Sequence, residues 1–100
     1  MTEIDPAFLA HKAGDAVAVA VCDVEPGVAN VRFLDESPSV SVEVTAHVPL
    51  GHKVALQDIQ EASDVIEYGV RTAIASTDIK TGDYVHVHNV RSARWQNSVA

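Results

Sequence analysis

A chain of 100 residues has room for one domain, not for a core domain with a separate cofactor domain beside it. With 47% hydrophobic and 21% charged residues it has globular composition rather than that of a disordered tail. A net charge of −7, from 14 acidic and 7 basic residues, argues against nonspecific nucleic-acid binding, which needs lysines and arginines to displace counterions.

Aromatic residues are only 5%, while Val and Ala number 17 and 14. β-Branched Val suits a pleated, half-buried surface, so an all-β domain with one modest core is expected. The N-terminus, Met1 to Pro6, is acidic and lacks the basic and apolar regions of a secretory signal. No apolar run approaches the roughly 18 residues of a membrane span. A cytoplasmic protein with no membrane contact is the expectation. Cys22, the one cysteine, cannot form an intramolecular disulfide and is expected as a small buried hydrophobe at the end of an apolar run.

Residues 1–10 read as an N-terminal extension, 11–90 as the folded domain, and 91–100 as a tail. Val17 to Val21 alternates Val and Ala and predicts a strand. Asp23-Val24-Glu25-Pro26-Gly27 breaks it, and Val28 to Leu34 is a second strand. After a turn at Asp35 to Pro38, Val40-Ser41-Val42-Glu43-Val44 is the cleanest half-buried strand in the chain. Pro49-Leu50-Gly51 is the next break. His52 to Leu56 and Val85 to Val90 are further strands, and 57–63 has room for a short helical turn. Trp95, a single large aromatic in the tail, reads as an anchor against a partner. Lys80, Arg91 and Arg94 gather the few basic residues toward the C-terminal end, which leaves a local anion contact open.

A short pattern repeats. Asp58-Ile59-Gln60-Glu61-Ala62 is matched 20 residues later by Asp78-Ile79-Lys80-Thr81-Gly82, and Val65 by Val85 at the same offset. Asp23-Val24-Glu25-Pro26-Gly27 is a third copy. Its physical content is a corner. The Asp accepts a backbone N–H two residues on, the β-branched residue plugs the core, and the small residue permits positive φ.

Three groups carry potential chemistry. His86 and His88 flank Val87; on a strand they point to one face, with Cα atoms about 6.5–7 Å apart. Such a pair can share a metal or grip an anion, but most Zn or Fe sites need three or four protein ligands. The plain alternative is the polar face of an edge strand. Asn89 adds an amide that donates and accepts. His52 and Lys53, after Gly51, offer proton transfer and a cation for a carboxylate; the plain alternative is a solvated strand start. Tyr68-Gly69 aligns Tyr68 with His88 at the 20-residue offset, or else is a Tyr packed at a turn. No phosphate loop, Cys-x-x-Cys pair or Gly-x-Ser-x-Gly elbow is present.

Together, Gly51-His52-Lys53-Val54-Ala55-Leu56, Val65-Ile66-Glu67-Tyr68-Gly69 and Asp83-Tyr84-Val85-His86-Val87-His88-Asn89 resemble the small N-terminal domain of the altronate/galactarate dehydratase family, over roughly 11–95. The resemblance implies a SAF-type β-clip fold, long twisted hairpins folded back on themselves. It is nearest the branch in which this domain is a separate small subunit of a sulfolactate sulfo-lyase. It implies a lyase complex that eliminates sulfite or water from a 2-hydroxy acid, inactive without its large catalytic subunit. It also implies a divalent metal, often iron, bound mainly by that partner. By position, His52, His86 and His88 would be catalytic, with His86 and His88 as metal ligands. Lys53, Tyr68 and Asn89 would contact substrate. The family continues after Tyr68-Gly69 with a glycine where Ala73 stands, so a positive φ at Ala73 would be strained.

The alternatives are a non-catalytic SAF module that binds carbohydrate or assembles a complex, and an interaction protein whose histidines are only a polar face. A neighbouring reading frame for the large lyase region separates the first, and His86→Ala with His88→Ala in a reconstituted complex separates the second. Substrate, metal and homo-oligomerisation stay open at this level.

Overall fold

In a computed structural model, residues 6–67, 70–86 and 89–92 are described. They form nine strands: β1 (Phe8–Ala10), β2 (Val17–Ala20), β3 (Gly27–Phe33), β4 (Val40–Val44), β5 (Lys53–Ala55), β6 (Asp64–Glu67), β7 (Val70–Ala75), β8 (Tyr84–Val85) and β9 (Val90–Ser92). The all-β expectation holds, and the curled sheet has the form of a SAF β-clip. No helix is long and apolar enough to cross a membrane among the described residues.

Six strands make one sheet in the order β4-β3-β1-β2-β5-β8, and β6-β7-β9 make a second. β1 is no extension. It sits inside the large sheet, antiparallel to β2 and parallel to β3, and Phe8 is fully buried. The folded unit therefore begins before residue 11. The large sheet curls into a half-barrel. Just past one edge strand, Thr45 N–H donates to the carbonyl of Gly82, just before the other, at 3.0 Å. Thr45 Oγ1 adds a bond to Asp83 Oδ1 at 2.9 Å.

β2 and β5 are buried on both faces. Ala18, Ala20 and Val54 point into the half-barrel with Phe8, Val31 and Val44. Val17 and Ala55 point the other way, into a second cluster with Ile59, Val65, Ile79 and Val85. The Val/Ala alternation of β2 thus serves two small cores, one on each side, where small Ala lets packed layers approach. Val65 and Val85, matched in the sequence repeat, share the second cluster.

The repeat itself forms clips. Ile59 and Ile79 face each other in an antiparallel bridge and exchange two backbone bonds of 2.8 and 2.7 Å. Each Asp caps the opposite segment, not the backbone N–H two residues on in its own segment that the sequence pattern predicts. Asp58 Oδ1 accepts from Thr81 N–H and Oγ1–H at 2.8 and 2.9 Å, and Asp78 Oδ1 accepts from Glu61 N–H at 2.8 Å. The bonds to the Thr81 amide and hydroxyl hold the Asp58 carboxyl below its ordinary pKa; desolvation opposes this, and Lys80 adds a smaller lowering. Val24 and Val48 form a second clip in the same way, with Asp23 Oδ1 accepting from Leu50 N–H at 2.9 Å. The small residue closing each segment has positive φ: Ala62 (70°), Gly82 (92°), Gly51 (84°) and Gly27 (138°).

Four other expectations change. Residues 57–63 form an extended clip segment and a turn, not a helical turn, because Ile59 is drawn into the bridge. Cys22 is exposed, since β2 ends at Ala20 and the chain bends away from the core. Ala73 has no positive φ; it is an ordinary β7 residue paired with Val65, so no strain arises there. The strand expected over 85–90 is divided. β8 ends at Val85, and Asn89 N–H and Val90 N–H both return to the carbonyl of His86, at 3.0 and 3.1 Å. A turn therefore separates β8 from β9, which crosses to the small sheet.

Candidate functional site

An open cleft of about 290 Å³ lies where the second core reaches the surface. Its floor is apolar, from Val17, Val65, Val85 and Val90. Its polar lining is His52, Lys53, Thr72 and His86. Two groups separated by more than thirty residues of sequence meet here because of strand register. β5 pairs with β8 as Lys53 with Val85 and Val54 with Tyr84. Continuing that antiparallel register by one residue sets His52 opposite His86, and their ring centroids are 4.9 Å apart.

Tyr84 is the diagonal neighbour of His52 on the same side of the pair. Its hydroxyl is 2.5 Å from His52 Nδ1, and its ring stacks on His86 with an interplanar angle of 7° and a centroid separation of 5.6 Å. The two imidazoles and the phenol form one cluster, half-buried at His52 and Tyr84 and exposed at His86.

Asn89 fixes the backbone beneath this cluster. It is buried, at 5% exposure, and its Oδ1 accepts from His86 N–H at 2.9 Å. Its Nδ2 donates to the Tyr84 carbonyl at 2.8 Å. One amide side chain thereby ties together the residues on both sides of the strand end, as an Asx-type turn does. In this geometry Asn89 organises the corner rather than reaching into the cleft.

Lys53 points to the other side of β5, where its Nζ pairs with Glu67 Oε1 at 2.8 Å. Glu67 is the more buried partner, with 14% of its side chain exposed against 38% for Lys53. The pair ties β5 to the end of β6, across the cleft.

The structure thus brings His52, Lys53 and His86 to the lining of one cleft, with Lys53 on the opposite side of β5 from the two histidines, and places Asn89 behind the His86 corner. His88 and Tyr68 lie outside the described residues, as does Trp95. The sequence reading missed Tyr84 and Glu67. Tyr84 had a signal, since it stands two residues before His86 and shares its strand face. Glu67 had none, because its partner lies on another sheet.

For a metal, no group of three or more His, Cys, Asp or Glu side chains converges among the described residues. Two imidazoles are fewer than the three or four donors that an iron or zinc site takes. The described residues do not by themselves fit such an ion.

The altronate/galactarate dehydratase SAF domain profile matches residues 6–93. The chain is 39% identical, over 88% of its length and 96% of the relative's, to the (2R)-sulfolactate sulfo-lyase subunit alpha of Chromohalobacter salexigens. It is 36% identical over 78% of its length to altronate dehydratase of Bacillus subtilis, and 37% identical over the same share to that of Escherichia coli. The match spans only 15% of each of those two longer proteins. With the β-clip fold and the ordered motifs at its cleft, the chain belongs to the SAF domain family of the altronate/galactarate dehydratases.

Proposed function

We propose that this chain is the small subunit of a lyase that eliminates sulfite or water from a 2-hydroxy acid, in a site completed by a large catalytic subunit. The observation that carries the proposal is the pairing of His52 with His86 at 4.9 Å on the wall of an open cleft that also holds Lys53. Near-full-length likeness to a sulfo-lyase subunit supports sulfite as the leaving group ahead of water.

Elimination needs a base for the proton on the carbon next to the carboxylate. As that C–H bond breaks, its electrons form the new double bond, and the neighbouring carbon releases its leaving group with the bonding pair. The resulting enol then becomes a 2-oxo acid. Sulfite departs as a stable anion, whereas hydroxide needs a proton from a general acid. Two adjacent imidazoles can supply both functions, one as proton acceptor and one as donor. Lys53 supplies the cation for the substrate carboxylate, in competition with Glu67. On the same reading His88 remains a catalytic candidate and Tyr68 and Asn89 substrate-facing ones, although both polar ends of Asn89 already bond to the backbone. A divalent metal, on the same reading, would be held mainly by the partner subunit, with His86 and His88 adding donors to a site that this chain does not complete.

The test is co-expression with a large lyase subunit, followed by assays for sulfite release from sulfolactate and for 2-oxo acid formation from altronate and galactarate. The expected result is a stable complex active on one of these, with no turnover by either chain alone. A chain that forms no complex, or a complex inert on all three, overturns the proposal.

A further inference from the structure

We infer that Tyr84 is a positioning residue of this site, setting which nitrogen of His52 faces the cleft. Three observations meet on it. The Tyr84 hydroxyl lies 2.5 Å from His52 Nδ1. Its ring stacks on His86 within 7° of parallel. Its own carbonyl is held by the buried amide of Asn89, which also holds the His86 N–H.

The hydrogen bond at Nδ1 occupies one ring nitrogen, so Nε2 is the nitrogen left for a ligand in the cleft. A histidine's second partner sets its tautomer and ring orientation, which decides whether the first can move a proton. A phenol can serve as donor or acceptor, so it can hold Nδ1 in place in either tautomer of the ring. The stack holds the His86 ring beside the same phenol. The strand register supplies the reason for the choice of residue. A diagonal cross-strand neighbour lies too far from His52 for a short side chain, but within reach of an aromatic one. Lys53 and Glu67 are tied to each other on the opposite side of β5, leaving Tyr84 as the described side chain hydrogen-bonded to the His52 ring.

This inference rests on the lyase reading for turnover, but not for the contact itself. Tyr84→Phe keeps the ring and the stack and removes only the hydroxyl. Its effect is read in two ways. In long-range proton–nitrogen NMR spectra of the chain, His52 Nδ1 is expected to lose its hydrogen-bond shift in Tyr84→Phe, with His86 nitrogens unmoved. In the reconstituted complex, kcat is expected to fall roughly tenfold to a hundredfold, the usual cost of losing a partner that orients a functional histidine, with KM changed by less than about threefold.

An unchanged His52 Nδ1 signal overturns the inference. So does a changed signal with unchanged kcat in an active complex. If no complex is active but the NMR shift moves, the lyase reading fails while the positioning contact stands. Backbone amide spectra of Tyr84→Phe separate loss of the contact from loss of the fold. Should that variant unfold, Tyr84→His, which restores a polar ring, supplies the same NMR comparison: recovery of a hydrogen-bonded Nδ1 supports the inference, and its absence in a folded chain overturns it.

Discussion

The two clips are built on one plan and differ at one point. In the Ile59–Ile79 clip each segment offers an Asp to the other's backbone, so capping is reciprocal. In the Val24–Val48 clip only Asp23 does so. The reason is Pro26, which stands where the other segments carry a backbone N–H and has none to give. The partner position is accordingly not Asp but His47, which pairs instead with Glu25 at 3.0 Å on the exposed surface. An acceptor is present where a donor exists and absent where it does not. Both clips lead into the cleft lining, one through Gly51 to His52 and the other through Gly82 and Tyr84 to Val85 and His86. The clips are therefore the rigid mounts of the site, and the register between β5 and β8 is what they jointly set.

The largest effect is expected where the Ile59–Ile79 clip meets the sheet edge. A Cβ on Gly82 would stand 1.9 Å from the carbonyl oxygen of Glu43, at a φ of +92°. Gly82→Ala must displace β4 or break the edge closure, and a loss of about 3 kcal/mol or more in urea unfolding is expected. Gly51, at the equivalent place in the other clip, meets nothing within 4 Å. Gly51→Ala should therefore cost only the backbone term of about 1–2 kcal/mol.

The missing cap can be rebuilt. Pro26→Ala restores an N–H, and His47→Asp restores an acceptor. Each change alone should be neutral or destabilising, the Asp because it faces Glu25 and the Ala because the unfolded chain gains freedom. Together they should show a favourable coupling of about 1 kcal/mol in a double-mutant cycle, the typical worth of a backbone cap. Strict additivity would mean that the Val24–Val48 clip does not follow the plan of the other.

A smaller gain is expected at Ala62, the one clip-closing position with positive φ that is not glycine. Ala62→Gly removes a left-handed penalty of about 1–2 kcal/mol and adds back up to about 1 kcal/mol of chain entropy. A net stabilisation of about 0.5–1 kcal/mol should appear as a higher denaturation midpoint.

The smallest effect concerns pH. The Asp58 carboxyl is held below its ordinary pKa of 3.8 chiefly by the Thr81 N–H and hydroxyl. The folded form binds this proton less readily than the unfolded chain. Its contribution is therefore complete above about pH 4 and is lost as pH falls through the depressed value. Asp58→Asn should flatten the acid limb of the stability curve and leave its slope above pH 5 unchanged.

How much of this was legible in the sequence follows from length and periodicity. β2 to β5 were readable because apolar residues alternate or run for several positions. β1 is three residues long and too short to show a period. β6 and β7 were missed because Val70, Arg71 and Thr72 are exposed and the pairing carries a bulge between Val65 and Ile66. The clips were half readable. The repeat located three of the four clip corners, those that close with positive φ at Gly27, Ala62 and Gly82, but the Asp bonds run between segments, and no local pattern contains that. At the site, His52, Lys53 and His86 were found by residue type and resemblance. Their meeting, and the presence of Tyr84 and Glu67, depended on register between strands far apart in the chain.

The central claim is that this cleft takes part in the lyase reaction and does more than dock a partner. It is tested most directly by turnover of the reconstituted complex carrying His52→Ala, with complex formation measured alongside. The account predicts an intact complex with turnover lowered at least about a hundredfold, as removal of a proton-transfer group does. An intact complex turning over within about twofold of the unsubstituted one would contradict it.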